Sequence, residues 1–177
     1  MNNTTNKTKE MVLSAFFLAL CLLLPFLTAN NRELGNMLCL MHLPIFLAAY
    51  LIDYRWAMVV GFIAPILRSF IFGVPPMIPT ALAMAFELLT YAFLAGVLYR
   101  AFNKKVWGIY VSLLISMVGG RVVTGIVKAI IMGASGSKLT FDVFLTTNVI
   151  TTLPGIAIQI IVIPLIILTL RKVNLNR

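Results

Sequence analysis

The chain has 177 residues, of which 61% are hydrophobic and 11% charged, and its mean hydropathy is +1.03. This composition predicts an integral membrane protein, because a soluble domain of this size would not expose so much apolar surface. The formal net charge of +9 does not indicate a nucleic-acid partner, since most basic residues flank apolar runs, where they act as topology signals. Cys21 and Cys39 lie inside apolar segments without metal-ligand spacing, so we expect core residues, no metal site and no cofactor.

Apolar runs separated by short polar or Gly- and Pro-containing breaks predict six membrane-spanning helices in a single domain, residues 1–177. In chain order the predicted spans are about 9–28, 37–52, 56–72, 79–101, 105–132 and 143–170. The first is predicted to be a retained helix, because no A-x-A cleavage pattern ends it. Pro65 predicts a kink in the third. The predicted fold class is all-α, a compact six-helix membrane bundle.

The basic residues that flank these spans fall mainly on one side of a six-span topology. Nine Lys and Arg residues lie on the side of the two termini, whereas Arg32 and Lys138 lie on the other side. Because cytoplasmic segments of membrane proteins carry the excess of Lys and Arg, both termini are predicted to be cytoplasmic.

Polar side chains inside the predicted spans cluster in the half of the membrane opposite the termini, as a helical rise of about 1.5 Å per residue places them. The main members are His42, Arg68, Glu87, Arg121, Lys128 and Asn148. Polar groups cost several kcal/mol against lipid, so we expect them to point inward and to contact one another or a ligand. Three cations against Glu87 leave a formal excess of two positive charges, which favours an anionic ligand.

Other interpretations of this cluster remain open at the level of the sequence. Glu87 and the cations would form an internal network in a structural membrane subunit without a ligand. Lys128, and Arg68 with it, would alternatively extend toward the membrane interface. A secondary carrier that works alone is a third possibility. The chain contains no phosphate-binding loop, no H-E-x-x-H motif and no second histidine, so we predict no enzymatic activity and no ATPase of its own.

Several stretches of the sequence carry a resemblance to a known family. Ala15 and Ala19 form a small-xxx-small pattern on the first helix, which permits close helix packing. The further matching stretches are GNML at 35–38, MHLP at 41–44, GFIAP at 61–65, RS at 68–69, FGVPP at 72–76 and AMAFE at 83–87. Together they resemble the substrate-binding S component of an energy-coupling factor (ECF) vitamin transporter, and most closely the pantothenate-specific branch. The resemblance extends over nearly the whole chain.

This resemblance implies a subunit of the bacterial cell membrane that binds a vitamin near the extracellular face. It also implies docking through the first helix, by Ala15 and Ala19, on a transmembrane scaffold subunit that is bound to two ATPases. Loops around 30–36, 73–79 and 133–141 would close over the ligand. The candidate substrate-binding residues are Asn36, His42, Arg68, Glu87, Tyr91, Arg121, Lys128 and Asn148.

Pantothenate suits the predicted charge of this set. Arg121, Arg68 or Lys128 would bind its carboxylate. Its hydroxyl and amide groups would hydrogen-bond to Glu87, His42 and Asn148. Another small B vitamin or precursor is the alternative substrate: neutral pyridoxine or hydroxymethylpyrimidine would need fewer cations, and folate would need a broad aromatic wall.

Overall fold

The computed structural model describes residues 2–28, 32–134 and 145–175, and these residues form helices and turns without a strand. Seven α-helices follow one another within these ranges. They are α1 Asn2–Leu23, α2 Arg32–Leu38, α3 His42–Leu51, α4 Tyr54–Phe72, α5 Leu82–Ala101, α6 Val106–Ala134 and α7 Leu153–Leu175. A 3-10 turn, Leu24–Thr28, extends α1, and π-helical turns, Met77–Ala81 and Thr146–Ile150, precede α5 and α7.

Five segments of the described chain are long and apolar enough to cross a membrane, so the protein is a multi-pass membrane protein. They are Lys7–Thr28, Tyr54–Phe72, Met77–Ala101, Val106–Ala134 and Thr146–Val173. Each coincides with one of the predicted spans to within a few residues. The remaining predicted span corresponds to α3, which has 10 residues. The six-span topology and the cytoplasmic position of the termini therefore stay predictions.

The short helix α3 lies at the centre of the bundle. Eight of its residues are buried, among them Ile45, Phe46, Ala48 and Ala49. A helix that is apolar on all sides is stable only when other elements surround it, and α3 packs against α1, α4, α5 and α7. Its ten residues rise about 15 Å, roughly half the thickness of the hydrocarbon core of a bilayer.

The second predicted span, 37–52, is not one continuous helix. It is interrupted at 39–41, between α2 and α3, where Cys39 adopts a positive φ of 48°. At this break the Cys39 carbonyl accepts hydrogen bonds from the His42 backbone amide at 2.9 Å and from the buried side-chain amide of Gln159 in α7 at 3.2 Å. Gly155 permits this approach, because a Cβ there would lie 2.5 Å from the carbonyl oxygen of Met37.

The ends of α4 set the position of the loops around it. Asp53 caps the N-terminus by accepting a hydrogen bond from the Arg55 amide at 2.8 Å. Gly73 ends the helix in the left-handed region at φ 68°, where glycine is favoured. Pro65 lies within α4, which stays helical from Tyr54 to Phe72. Helix α4 packs closely on α5, since a Cβ on Gly61 would lie 2.8 Å from the Leu88 carbonyl oxygen.

Candidate functional site

A cavity of about 410 Å³ occupies one end of the bundle, which we call the cavity end. There α3 and α5 begin, α4 and α6 end, and the turn before α7 passes. Six of the eight candidate binding residues line it: His42, Arg68, Glu87, Arg121, Lys128 and Asn148. Counting residues along the predicted helices placed these side chains near one another, and they lie together at the cavity end. Their role in binding stays a prediction.

Glu87 is the centre of the polar contacts in the deep part of the cavity. Its side chain is almost completely buried, and its Oε1 accepts a hydrogen bond from the Tyr91 hydroxyl at 2.6 Å. The same oxygen lies 3.8 Å from His42 Nε2 and 3.6 Å from Arg121 Nε. These two separations are longer than a hydrogen bond. Glu87 therefore attracts both groups electrostatically without satisfying their donors.

His42 and Arg121 consequently keep unused hydrogen-bonding capacity at the cavity. His42 is 5% exposed, and neither of its ring nitrogens has a hydrogen-bond partner among the described residues. Arg121 Nε is likewise buried without one. Buried polar atoms are normally hydrogen-bonded, so such exceptions call for an explanation. A polar ligand in the adjoining cavity would provide the missing partners.

Tyr91 contacts Glu87 from the side away from the cavity and does not itself line the cavity. Its ring is 1% exposed and stacks on Phe46, with ring centroids 4.9 Å apart. Gly120 of α6 makes room for it, because a Cβ there would lie 2.0 Å from a ring carbon of Tyr91. The tyrosine therefore fixes the Glu87 carboxylate from a rigid position. The assignment of Tyr91 as a substrate-binding residue stays a prediction.

Lys128 and Asn148 form a second polar group; Lys128 follows Arg121 by seven residues on α6, an axial rise of about 10 Å. Lys128 Nζ donates to Asn148 Oδ1 at 2.6 Å, and Asn148 Nδ2 donates to the Thr147 hydroxyl at 2.9 Å. An ammonium group can only donate, so the amide must turn its oxygen toward Lys128. The Thr152 hydroxyl donates to the Asn148 carbonyl at 2.9 Å and fixes the backbone of the turn.

Arg68 lines the cavity, but its guanidinium group already contacts other residues of the cavity wall. Its Nη1 donates to the Leu22 carbonyl at 2.6 Å, near the C-terminal end of α1, where a cation is favoured. Its guanidinium lies 5.1 Å from the ring centroid of Phe26 and 5.6 Å from that of Phe72. Arg68 thereby joins the 3-10 turn after α1 to the end of α4.

The charges around the cavity do not cancel. Arg68, Arg121 and Lys128 contribute three positive charges, and Glu87 is the one carboxylate among the described residues that line it. With a neutral histidine the lining carries a formal excess of two positive charges. No group of three or more His, Cys, Asp or Glu residues in the described ranges could hold a metal ion. The site is suited to an organic anion with additional polar groups.

Several lining residues were not among the sequence candidates. Thr80 and Met84 precede Glu87 on α5 and its leading turn, and Thr28 and Pro25 come from the 3-10 turn. Positions 80, 84 and 87 share one helical face, so the spacing from Glu87 would have indicated them. The turn residues carry no comparable periodic signal.

Two of the predicted gating loops and one candidate residue are only partly described. The loop 73–79 contributes Val74, Pro75 and Pro79 to the cavity wall. Most of the loop 133–141 and part of 30–36 lie outside the described residues, and so does the side chain of Asn36.

Ala15 and Ala19 lie on the exposed side of α1. Ser14, Phe17 and Cys21 on the other side are buried against the bundle. The two alanines therefore form a shallow strip that no described part of the chain covers.

The chain was compared with protein families, curated proteins and solved structures. A family model described as ECF transporter, substrate-specific component matches residues 9–167. This match includes the lining residues from His42 to Asn148 as well as Ala15 and Ala19. The comparisons with curated proteins and with solved structures found no match.

Proposed function

This chain belongs to the family of substrate-specific components of ECF transporters, and on that premise we propose that its substrate is pantothenate. The family implies a substrate-binding membrane subunit of a vitamin transporter, with the ATPase activity in partner subunits. The present proposal adds the identity of the vitamin and the residues that bind it.

The observation that carries the proposal is the uncompensated positive charge around the cavity. Arg121, Arg68 and Lys128 face one carboxylate, Glu87. A buried cation without a counter-charge is costly in a medium of low dielectric constant. A ligand with one carboxylate relieves this cost, whereas neutral pyridoxine or hydroxymethylpyrimidine does not.

The remaining polar groups suit the rest of pantothenate. The free nitrogens of His42 and the oxygens of Glu87 are partners for its two hydroxyls, and Asn148 adds an amide. The cavity of about 410 Å³ falls within the range of about 300–1,000 Å³ that is typical of small-molecule sites. A structural network without a ligand would have closed around its own charges, because protein interiors are close-packed.

The test is a binding screen of the purified protein in detergent. Pantothenate, pyridoxine, hydroxymethylpyrimidine and folate are titrated separately, with calorimetric binding and thermal stabilisation as the readouts. We expect pantothenate to bind most tightly and Lys128→Gln to weaken it on the order of 100-fold. Lys172→Gln, a similar change at the exposed opposite end, serves as the control. Tightest binding of a neutral compound would refute the proposal.

Delivery of the vitamin is proposed to use the exposed strip on α1. Ala15 and Ala19 would contact the transmembrane scaffold subunit that carries two ATPases, in a bacterial cell membrane. In this arrangement the chain crosses the membrane six times, both termini are cytoplasmic and the cavity end is extracellular. Small residues permit close approach between helices within lipid.

Enlarging these alanines separates docking from binding. We expect Ala15→Leu combined with Ala19→Leu to abolish pantothenate uptake by the reconstituted transporter while calorimetric pantothenate binding stays normal. Ala129→Leu makes the same change at an exposed position on α6 and should leave uptake intact. Uptake at the control level in the α1 double variant would contradict docking through this strip.

A further inference from the structure

We infer that the two ends of the cavity bind different chemical groups and therefore orient the ligand, with its carboxylate at Lys128 and its hydroxyls at His42 and Glu87. This inference rests on the proposed function and goes beyond it, because it assigns the cation that binds the carboxylate. The assignment follows from what each cation already contacts.

Lys128, like Arg68, is a cation of the cavity without a carboxylate partner within ion-pair distance among the described residues. Its hydrogen bond goes to the neutral amide oxygen of Asn148. Two of its three N–H donors remain for a ligand. A carboxylate beside Lys128 would form a charge-assisted hydrogen bond with the ammonium group.

The two arginines are each engaged elsewhere. Arg121 lies 3.6 Å from the Glu87 carboxylate, so the charges of this pair largely offset each other. Arg68 donates to the Leu22 carbonyl and lies against two aromatic rings. A ligand carboxylate at Arg121 would also lie close to the like charge of Glu87, which repels it.

The end of the cavity at Glu87 requires a different chemistry. The two nitrogens of His42 are one donor and one acceptor when the ring is neutral, and neither has a partner among the described residues. A hydroxyl both donates and accepts, so one hydroxyl can accept from the histidine N–H and donate to Glu87, and the second can donate to the histidine acceptor. A carboxylate can only accept, and it would meet the Glu87 charge there.

The spacing of the two ends along α6 is one that an extended ligand can span. Lys128 lies two helical turns beyond Arg121 on α6, a rise of about 10 Å. In pantothenate the carboxylate and the hydroxyls occupy opposite ends of the molecule, with the amide between them. One bound molecule can therefore reach both groups at the same time.

The experiment pairs ligand analogues with single substitutions. Calorimetric affinities are measured for pantothenate, for pantothenol, in which an alcohol replaces the carboxylate, and for an N-acyl-β-alanine that lacks both hydroxyls. The protein variants are Lys128→Gln, Arg121→Gln, Arg68→Gln and His42→Phe, with Lys128→Arg as the variant that keeps the charge. Each variant yields two ratios, the preference for the carboxylate and the preference for the hydroxyls.

We expect the wild type to prefer pantothenate over pantothenol on the order of 100-fold. Lys128→Gln should reduce this ratio to nearly 1, whereas Lys128→Arg, Arg121→Gln and Arg68→Gln should keep most of it. His42→Phe should remove the preference for the hydroxyls and leave the preference for the carboxylate.

Two unfavourable outcomes have different meanings. If the wild type binds pantothenate but Lys128→Gln keeps the preference for the carboxylate, the orientation is wrong and the proposed substrate stands. If the wild type does not bind pantothenate, both the substrate and the orientation are refuted. The wild-type ratios need no variant to fold, so equal affinities for pantothenate and pantothenol would by themselves overturn the inference.

Discussion

Arginine and lysine side chains occur at both ends of this bundle, but they are satisfied in opposite ways. At the end opposite the cavity, Arg100 donates to the carbonyls of Ile52 at 2.6 Å and Gly96 at 2.7 Å. Its guanidinium also lies 5.3 Å from the centroid of the Tyr54 ring. Arg171 of α7 donates to the Tyr99 hydroxyl and to the Lys104 carbonyl. These cations hold helix ends together and have their acceptors within the chain.

At the cavity end, the described residues leave part of the donor capacity of Arg121 and Lys128 unused. Arg121 approaches Glu87 without a hydrogen bond at its Nε, and Lys128 contacts a neutral amide. The presence of cations alone therefore does not distinguish the candidate site from the opposite end, whereas their unused hydrogen-bonding capacity does.

The largest effect should come from removing the carboxylate at the cavity end. Glu87→Ala leaves Arg121 buried without its counter-charge, so we expect a loss of about 3–5 kcal/mol in the free energy of unfolding. Glu10→Ala, at the opposite end, removes a single exposed hydrogen bond from the Asp53 amide and should cost about 1 kcal/mol. Thermal unfolding of the ligand-free variants measures both. Equal losses would show that the two ends do not differ in this way.

A smaller effect should follow from filling the space beside Tyr91, whose hydroxyl holds the Glu87 carboxylate. Gly120→Ala places a methyl group against the buried Tyr91 ring, so we expect a loss of about 1–3 kcal/mol and weaker pantothenate binding. Gly133→Ala on the same helix meets no atom within 4 Å and serves as the control. Its stability should stay equal or rise, because alanine favours helix. The prediction fails if Gly120→Ala and Gly133→Ala unfold at the same temperature.

The smallest effect is expected at the opposite end. Arg100→Gln removes a partly exposed set of hydrogen bonds to carbonyls, so unfolding should become easier by about 1 kcal/mol. Pantothenate affinity should not change, because Arg100 is remote from the cavity. Lys105→Gln, at an exposed neighbouring position, should leave both quantities within experimental error. A change in affinity in Arg100→Gln would indicate that the two ends are coupled.

The sequence predicted the long helices well because apolar runs and their breaks determine them directly. The interruption at Cys39 was missed, since residues 37–41 are apolar and contain neither Gly nor Pro. At that break the Cys39 carbonyl contacts Gln159, which is 120 residues away in the chain. Hydropathy cannot indicate a contact of this kind.

The positions of the candidate residues along the helices could be predicted from the sequence, but their contacts could not. Counting residues along helices was sufficient to bring His42, Glu87 and Lys128 to one end of the bundle. The partner of Arg68 is a backbone carbonyl, which leaves no mark in the pattern of side chains. Tyr91 was predicted to meet the ligand, and its position behind Glu87 depends on the space at Gly120 of another helix.

The length of α3 has a consequence for the capacity of the bundle. Its neighbours α4 and α5 have 19 and 20 residues, whereas α3 has 10 and begins at the floor of the cavity. A full-length helix in the same place would rise about 15 Å further and fill the chamber with its own side chains. The volume of the cavity thus accompanies the shortness of one central helix and needs no wider spacing of the other helices.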